Sequence, residues 1–274
     1  MRLNLWEETM PILEQTPGLM QALRGEMTPK FLATRNAEGV PNVVPVVTIL
    51  PTDDQPDTLF FGNFLLRKSI QNLQQDPRVG ILVITQDLQG WILKGEFLEF
   101  QRTGPYVERQ MSGSLLRYNA YTGIRDAGVI RVMSLEGSFR ISKLQVAMDY
   151  LQARLAALRG ADGGQGTVTV PAAVRKEFAK MVAVKVLAWL DVDGCPLVVP
   201  TLSLQPAGPR AMLGRTRPGL PSPPPGAVVA SNVLTFEAIS YQVKGRWEGT
   251  GRTGRLWVQE VYAGGPPIPG GRIA

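Results

Sequence analysis

A chain of 274 residues and 29.9 kDa, with 44% hydrophobic residues, 19% charged residues and a mean hydropathy of zero, holds enough apolar material for a packed core and too little charge to stay disordered. Histidine is absent and Cys195 is the single cysteine, which excludes intrachain disulfides, Cys/His zinc sites, a Ser-His-Asp triad and a histidine-ligated heme. Lysine and arginine outnumber aspartate and glutamate 29 to 23, a net charge of +6 that favours anionic ligands, although the cations are dispersed rather than gathered into runs.

Twenty-nine glycines and 22 prolines punctuate the chain too often for long helices and predict a mainly β fold with short helices. In chain order, residues 31–35 and 43–50 read as two strands of a hairpin around Asn36-Ala37-Glu38-Gly39, and 57–63 as a third strand. Arg67 to Gln75 carries Ile70 and Leu73 on one face and is ended by Asp76-Pro77, so a short helix follows. Strands are expected over 79–85, 91–100 and 127–141, a helix over 144–158, and a glycine-marked linker between Gly160 and Thr167. Beyond it, Pro171 opens a short helix, and strands follow at 184–190, 197–204, 239–247 and 255–262. No apolar run approaches the ~18 residues of a membrane span, and acidic residues near the start argue against a secretory leader. The expectation is a cytoplasmic protein without a membrane partner.

The most informative feature is an internal repeat. LATRNAEGVPNVVP from Leu32 aligns without a gap on LAWLDVDGCPLVVP from Leu187, with seven of fourteen positions identical at a spacing of 155, and Lys94-Gly95 recurs as Lys244-Gly245 at a spacing of 150. A period this long means a duplicated domain rather than a solenoid. The expected units are residues 1–160 and 167–274, each a six-stranded barrel, packed on one another as a pseudo-dimer.

Between the third strand and the following helix, Asn63 and the pair Arg67-Lys68 lie where free N–H groups and the positive end of the helix dipole favour an anion. Two adjacent cations sit badly in a helix's first turn unless an anion is bound there, and an arginine fork beside a mobile ammonium suits a phosphate monoester. In the second copy the corresponding stretch, AMLGRTRPGLPSPPPGAVVASNVL, carries five prolines from Pro218 to Pro225 that prevent such a helix. Arg215 and Arg217 remain without a helix behind them.

The blocks ATRNAEGVPNVVPV, TLFFGNFLLRKSIQNLQQDPRVGIL and WILKGEFLEF, in this order, resemble the FMN-binding split barrels of the pyridoxamine 5′-phosphate oxidase-like superfamily. The resemblance covers residues 20 to 145 in the first copy and mainly the opening and closing strands of the second. It implies FMN as cofactor, with Arg67 and Lys68 on its phosphate, Phe61, Gly62 and Asn63 along it, and the strand Val44-Pro45-Val46-Val47-Thr48 against its ring. Family members pair with two flavins at the barrel interface, so the fused chain is expected to keep one intact site and one decayed one, with Trp247 or Trp257 as candidate contacts from the second copy. The known enzyme's cations at positions matching Val44 and Ile49 are missing, and its C-terminal Arg-x-His element has no counterpart here. Pyridoxamine phosphate oxidation and histidine-dependent heme handling are therefore disfavoured.

The resemblance implies a flavin-dependent oxidoreductase acting on a small molecule. A non-catalytic binder of FMN or another phosphorylated ligand, and a cofactor-free structural or regulatory barrel, stay open as alternatives. GTVTVPAAVRKEFAKM from Gly166 also resembles the swapped hairpin of AbrB-like DNA-binding proteins, but it runs into the repeat, and no nucleic-acid partner is expected. Further homo-oligomerisation is left open.

Overall fold

The computed structural model describes residues 10–64, 66–113, 124–158, 166–250, 252–265 and 269–274. Strands β1 (Lys30–Arg35), β2 (Pro41–Pro45), β3 (Leu50–Pro51), β4 (Thr58–Gly62), β5 (Arg78–Ile84), β6 (Gln89–Gln101) and β7 (Ala127–Arg140) form one antiparallel sheet in the order β2-β1-β5-β6-β7-β4-β3. Strands β8 (Val184–Leu190), β9 (Pro196–Pro200), β10 (Gln205–Pro206), β11 (Ala211–Arg215), β12 (Val228–Leu234), β13 (Ser240–Thr250) and β14 (Thr253–Ala263) form a second, in the order β9-β8-β12-β13-β14-β11-β10. Counted from the first strand of each half, the two orders are the same. The helices among the described residues are α1 (Leu19–Arg24), α2 (Arg67–Gln75), α3 (Pro105–Ser112), α4 (Lys143–Leu158) and α5 (Ala172–Phe178).

Each sheet has seven strands rather than the expected six. Pro45 and Pro200 lack the N–H that would continue the ladder, so the runs expected at 43–50 and 197–204 each break into a strand, a turn and a two-residue strand. The turns are closed by Ile49 N–H to Val46 O and Leu204 N–H to Thr201 O. Sequence reading also missed β11 and β12, which flank the proline segment. Residues 216–227 between them contain no helix. Ser231 and Asn232 interrupt the apolar run of β12, and both are buried. The repeated Lys-Gly pair marks a β-bulge in each half, with the register shifting between Lys94 and Gly95 and again between Lys244 and Gly245. The linker expected at 160–167 falls largely outside the described residues, and α4 packs on β10 and β11 of the second sheet.

One hydrophobic core runs through both halves, joining Phe31, Val43, Leu82 and Ile92 to Val186, Leu197, Val199 and Val229. β1, β2 and β5 meet β8, β9 and β12 across this junction. The approach is close: a Cβ added at Gly80 would lie 2.2 Å from the Pro196 carbonyl oxygen. Only glycine leaves room for β5 to sit against β9 there.

Two fully buried lysines, Lys30 and Lys185, hold equivalent turns in the two halves. Lys30 Nζ donates to Gly25 O (2.8 Å) and Val47 O (3.1 Å), and Lys185 Nζ donates to Leu202 O (3.2 Å). Burial lowers their pKa values, to about 8 for Lys30, where Glu26 opposes the shift, and to about 7 for Lys185. A lysine with its folded pKa below the unfolded value of ~10.4 binds fewer protons when folded, so stability rises with pH between the two values and is lost as pH falls toward the lower one. Urea unfolding at about pH 7 and about pH 9.5 is expected to show Lys185 adding on the order of 2 kcal/mol at the higher pH, a rise that Lys185→Met should remove.

Candidate functional site

Where β4 ends, Asn63 N–H donates to Asp126 O (2.9 Å) and the chain turns into α2. The buried face of α2 is pinned to β1 and β2 by Asn72 Nδ2 to Thr34 Oγ1 (3.0 Å) and Asn42 Nδ2 to Ser69 Oγ (3.1 Å). No side chain caps the helix and no acid lies in its first turn, so its leading N–H groups and the Arg67-Lys68 pair face a cleft at the junction of the halves. The first half contributes Asn42, Val44, Pro45, Arg67 and Lys68 to the lining, and the second half contributes Asn232, Gln242, Tyr262 and the backbone at Gly264 and Gly270.

The electrostatics of this end are unbalanced. Lys68 Nζ lies 3.9 Å from the centroid of the Tyr262 ring and Lys244 Nζ lies 5.5 Å from it, with the two amines in hydrogen-bonding reach of each other. Burial, together with the neighbouring Lys68 charge, pushes Lys244 down to about 7 despite the attraction of Glu260. Burial also lowers Lys68, against the pull of Glu260. The Glu260 carboxylate accepts from the Tyr262 hydroxyl (2.8 Å), and burial with this carboxylate raises the phenol pKa. Gln242 Nε2 donates to Val43 O (2.6 Å) across the junction, while its buried Oε1 has no hydrogen-bond partner among the described residues. A buried acceptor left unpaired costs about 1–3 kcal/mol.

The pseudo-equivalent end is closed. Phe31 pairs with Leu82 and Leu82 with Ile92, as Val186 pairs with Asn232 and Asn232 with Gln242, so Leu82 and Ile92 occupy the places of Asn232 and Gln242. Leu197 stands where Asn42 does, 155 residues on. All three polar positions of the open end are thus apolar core residues at the closed end. Lys94, the counterpart of Lys244, bridges the halves to Asp191 (2.6 Å) and Asp193 (2.8 Å), with Glu136 at 3.6 Å. Burial works to lower Lys94, but these carboxylates hold it above the usual lysine range.

Of the residues expected along a cofactor, Val44, Pro45, Arg67 and Lys68 line the cleft. Val46 and Phe61 are packed in the first half's core, the Val47 carbonyl binds Lys30, and Thr48 lies toward α3. Gln110 Nε2 donates to Thr48 O (2.7 Å), and a Cβ on Gly62 would meet Gln110 and Ile124. Asn63 is engaged through its backbone. Trp247 and Trp257 are buried in the second half, and the aromatics lining the cleft are Phe64 and Tyr262. Sequence reasoning missed Asn42, Asn232, Gln242, Lys244 and Tyr262. The first four stand at repeat positions, and their exchange for leucine or isoleucine at three of them was a readable signal.

No protein-family profile matches the chain, and no curated protein matches it. Solved structures do. HupZ of Group A Streptococcus shares 21% identity over 47% of this chain and 94% of its own, with a TM-score of 0.36. An FMN-binding protein from Syntrophomonas wolfei subsp. wolfei shares 15% over 48% and 88%, TM-score 0.39. HutZ, the heme storage protein from Vibrio cholerae, shares 16% over 47% and 94%, TM-score 0.35. The chain is similar to split-barrel proteins. The chain has two antiparallel seven-stranded sheets of one topology, and among its described residues no helix is long and apolar enough to cross a membrane.

Converting the open end into the closed one tests whether the cleft is a site. The double variant Asn232→Leu/Gln242→Ile is expected to fold, since the unpaired buried acceptor it removes and the apolar burial it adds offset the Gln242–Val43 O and Asn232–Ser240 bonds that it loses. It should also lose the binding of any ligand that the wild-type protein takes up, as read by thermal melts with and without that ligand.

Proposed function

We propose that the protein binds one FMN per chain in the cleft between its halves and acts as a flavin-dependent oxidoreductase on a small molecule. The observation that carries this reading is the pair Arg67 and Lys68 lining the cleft at the uncapped start of α2, with the buried Lys244 nearby at the Tyr262 ring and no carboxylate among the described lining residues, the neighbouring Glu260 being engaged by the Tyr262 hydroxyl. A phosphate monoester supplies the missing negative charge. The residues fit the group in a second respect, because Gln242, whose buried Oε1 has no hydrogen-bond partner among the described residues, is one of the residues lining the same cleft.

In this reading residues 1–160 hold the phosphate and residues 167–274 form the degenerate unit that completes the cleft. FMN, when bound, supplies the electron-transfer chemistry. The chain's own contribution is to anchor the phosphate, to offer polar contacts from Asn42, Asn232 and Gln242, and to exclude water with Val44, Pro45 and Tyr262. Flavin is favoured over heme because the lining includes no histidine, cysteine or methionine, and its one phenol, Tyr262, is held protonated by Glu260.

Titration of the protein with FMN, followed by quenching of flavin fluorescence, is expected to saturate at one equivalent and to show weaker binding of riboflavin, which lacks the phosphate. Two equal sites, or no saturable binding, would overturn the proposal. Arg67→Ala/Lys68→Ala should cost roughly 2 to 4 kcal/mol of affinity, on the scale of ~1.5–3 kcal/mol for each charge-assisted contact with imperfect additivity. Bleaching of the visible flavin band by a nicotinamide donor would support turnover, and a bound flavin that no donor reduces would leave a binding protein.

The pH dependence has a defined sign. An anion in the cleft favours charged Lys244 and raises its pKa above the ligand-free value of about 7. Affinity for a phosphate monoester is therefore expected to fall as pH rises above about 7, and also to fall below about pH 6 as the phosphate takes up its second proton. Lys244→Met should flatten the high-pH limb and leave the low-pH limb in place, as measured by titration across this range.

A further inference from the structure

Helix α4 exposes a line of large apolar side chains. Leu144, Met148, Leu151, Leu155 and Leu158 are between 50% and 77% exposed, and they follow one another at intervals of four, three, four and three residues. That is the a/d spacing of a coiled-coil seam, whose side chains insert as knobs between the side chains of a second helix with the same repeat. Monomeric proteins rarely expose a contiguous apolar patch beyond ~300–600 Å², and patches of that order mark interaction sites.

The helix cannot turn this stripe inward. Its opposite face is fixed to the second half by Asp149 with Arg215 (3.4 Å) and Arg217 (3.1 Å), by the Tyr150 hydroxyl donating to Ala179 O (2.6 Å), and by Ala153 packed with Ala207 and Leu213. Nor can another described helix of the same chain cover it. α1, α2, α3 and α5 have six to nine residues each and are engaged with their own sheets, whereas α4 has 16.

We propose that α4 is a dimerisation helix through which two copies of this chain associate in antiparallel fashion. A two-fold axis between Met148 and Leu151 sets Leu144 against the partner's Leu155 and Met148 against the partner's Leu151, the self-complementary arrangement of an isologous interface. The flanking positions, Gln145, Ala147, Gln152 and Arg154, fit this pairing electrostatically, because it places Gln145 beside the partner's Gln152, whose amides can pair, sets the single cation Arg154 beside the partner's Ala147, and brings no like charges together. They fit a lipid surface poorly. An interfacial helix carries a strongly charged polar face, and here the face opposite the stripe is docked on protein. The inference is independent of what the cleft binds.

Sedimentation velocity of the full chain over a concentration series reaching tens of micromolar is the test. The wild-type protein should sediment as a dimer. Leu151→Glu and, separately, Leu155→Glu should sediment as folded monomers that still melt cooperatively, since both side chains face solvent in the single chain, and Met148→Leu should keep the dimer. A wild-type monomer at every concentration, or a dimer that persists in both glutamate variants, overturns the proposal. So does a lipid-free monomer that pellets with vesicles of mixed phosphatidylcholine and phosphatidylserine, which would assign the stripe to a membrane.

Discussion

The molecule depends on the close packing of β1, β2 and β5 against β8, β9 and β12. Neither sheet could bury the apolar face it presents there by itself, and the resulting core counts residues of both halves among its most deeply buried members. Backbone proximity at Gly80 and Pro196, the Cys195 Sγ to Val79 O contact (3.6 Å) and the Arg35 Nη1 to Gly194 O bond (3.0 Å) lock one end. At the other end a cross-junction hydrogen bond from Gln242 to Val43 O spans the gap beside the cleft.

The two ends of this junction show how a site differs from a seal when the backbone is the same. At the closed end three carboxylates balance one buried lysine, and leucine and isoleucine fill the space. At the open end asparagine and glutamine replace those aliphatics, and two lysines share one nearby carboxylate, Glu260, which the Tyr262 hydroxyl also engages. A fold without a ligand gains nothing from such a pair, because burying like charges costs free energy that solvation or a counter-ion must return. Local frustration of this kind is expected where function overrides packing.

Much of this was legible in the sequence. The duplication, the mainly β class, helix α2 with its bounds and the Arg67-Lys68 block could all be read, because each rests on local periodicity, an end signal or an identity at fixed spacing. The turn after β2 could not, since only Thr48 interrupts the apolar residues of VVPVVTIL, and the Lys30 ammonium that holds the turn at the Val47 carbonyl comes from seventeen residues away. β11 and β12 were hidden by the prolines between them. The polar cleft residues of the second half were hidden for a different reason. Asn232 lies outside the aligned repeat blocks and looks like an ordinary strand residue until the register sets it in the place of Leu82, and Gln242, although aligned with Ile92 in the repeat, gains its meaning only beside it. Tyr262 carries no repeat signal at all, and its role comes from the fold bringing β14 beside α2.

The covalent joining of the halves has a consequence for how the cleft behaves in dilute solution. In a homodimer with its ligand site across the subunit boundary, the site exists only while the subunits are associated, and occupancy depends on protein concentration as well as on ligand. Here both walls belong to one chain, so their association is intramolecular and governed by an effective concentration fixed by the connection. The cleft is therefore assembled even when copies of the protein are few, and ligand affinity is decoupled from expression level.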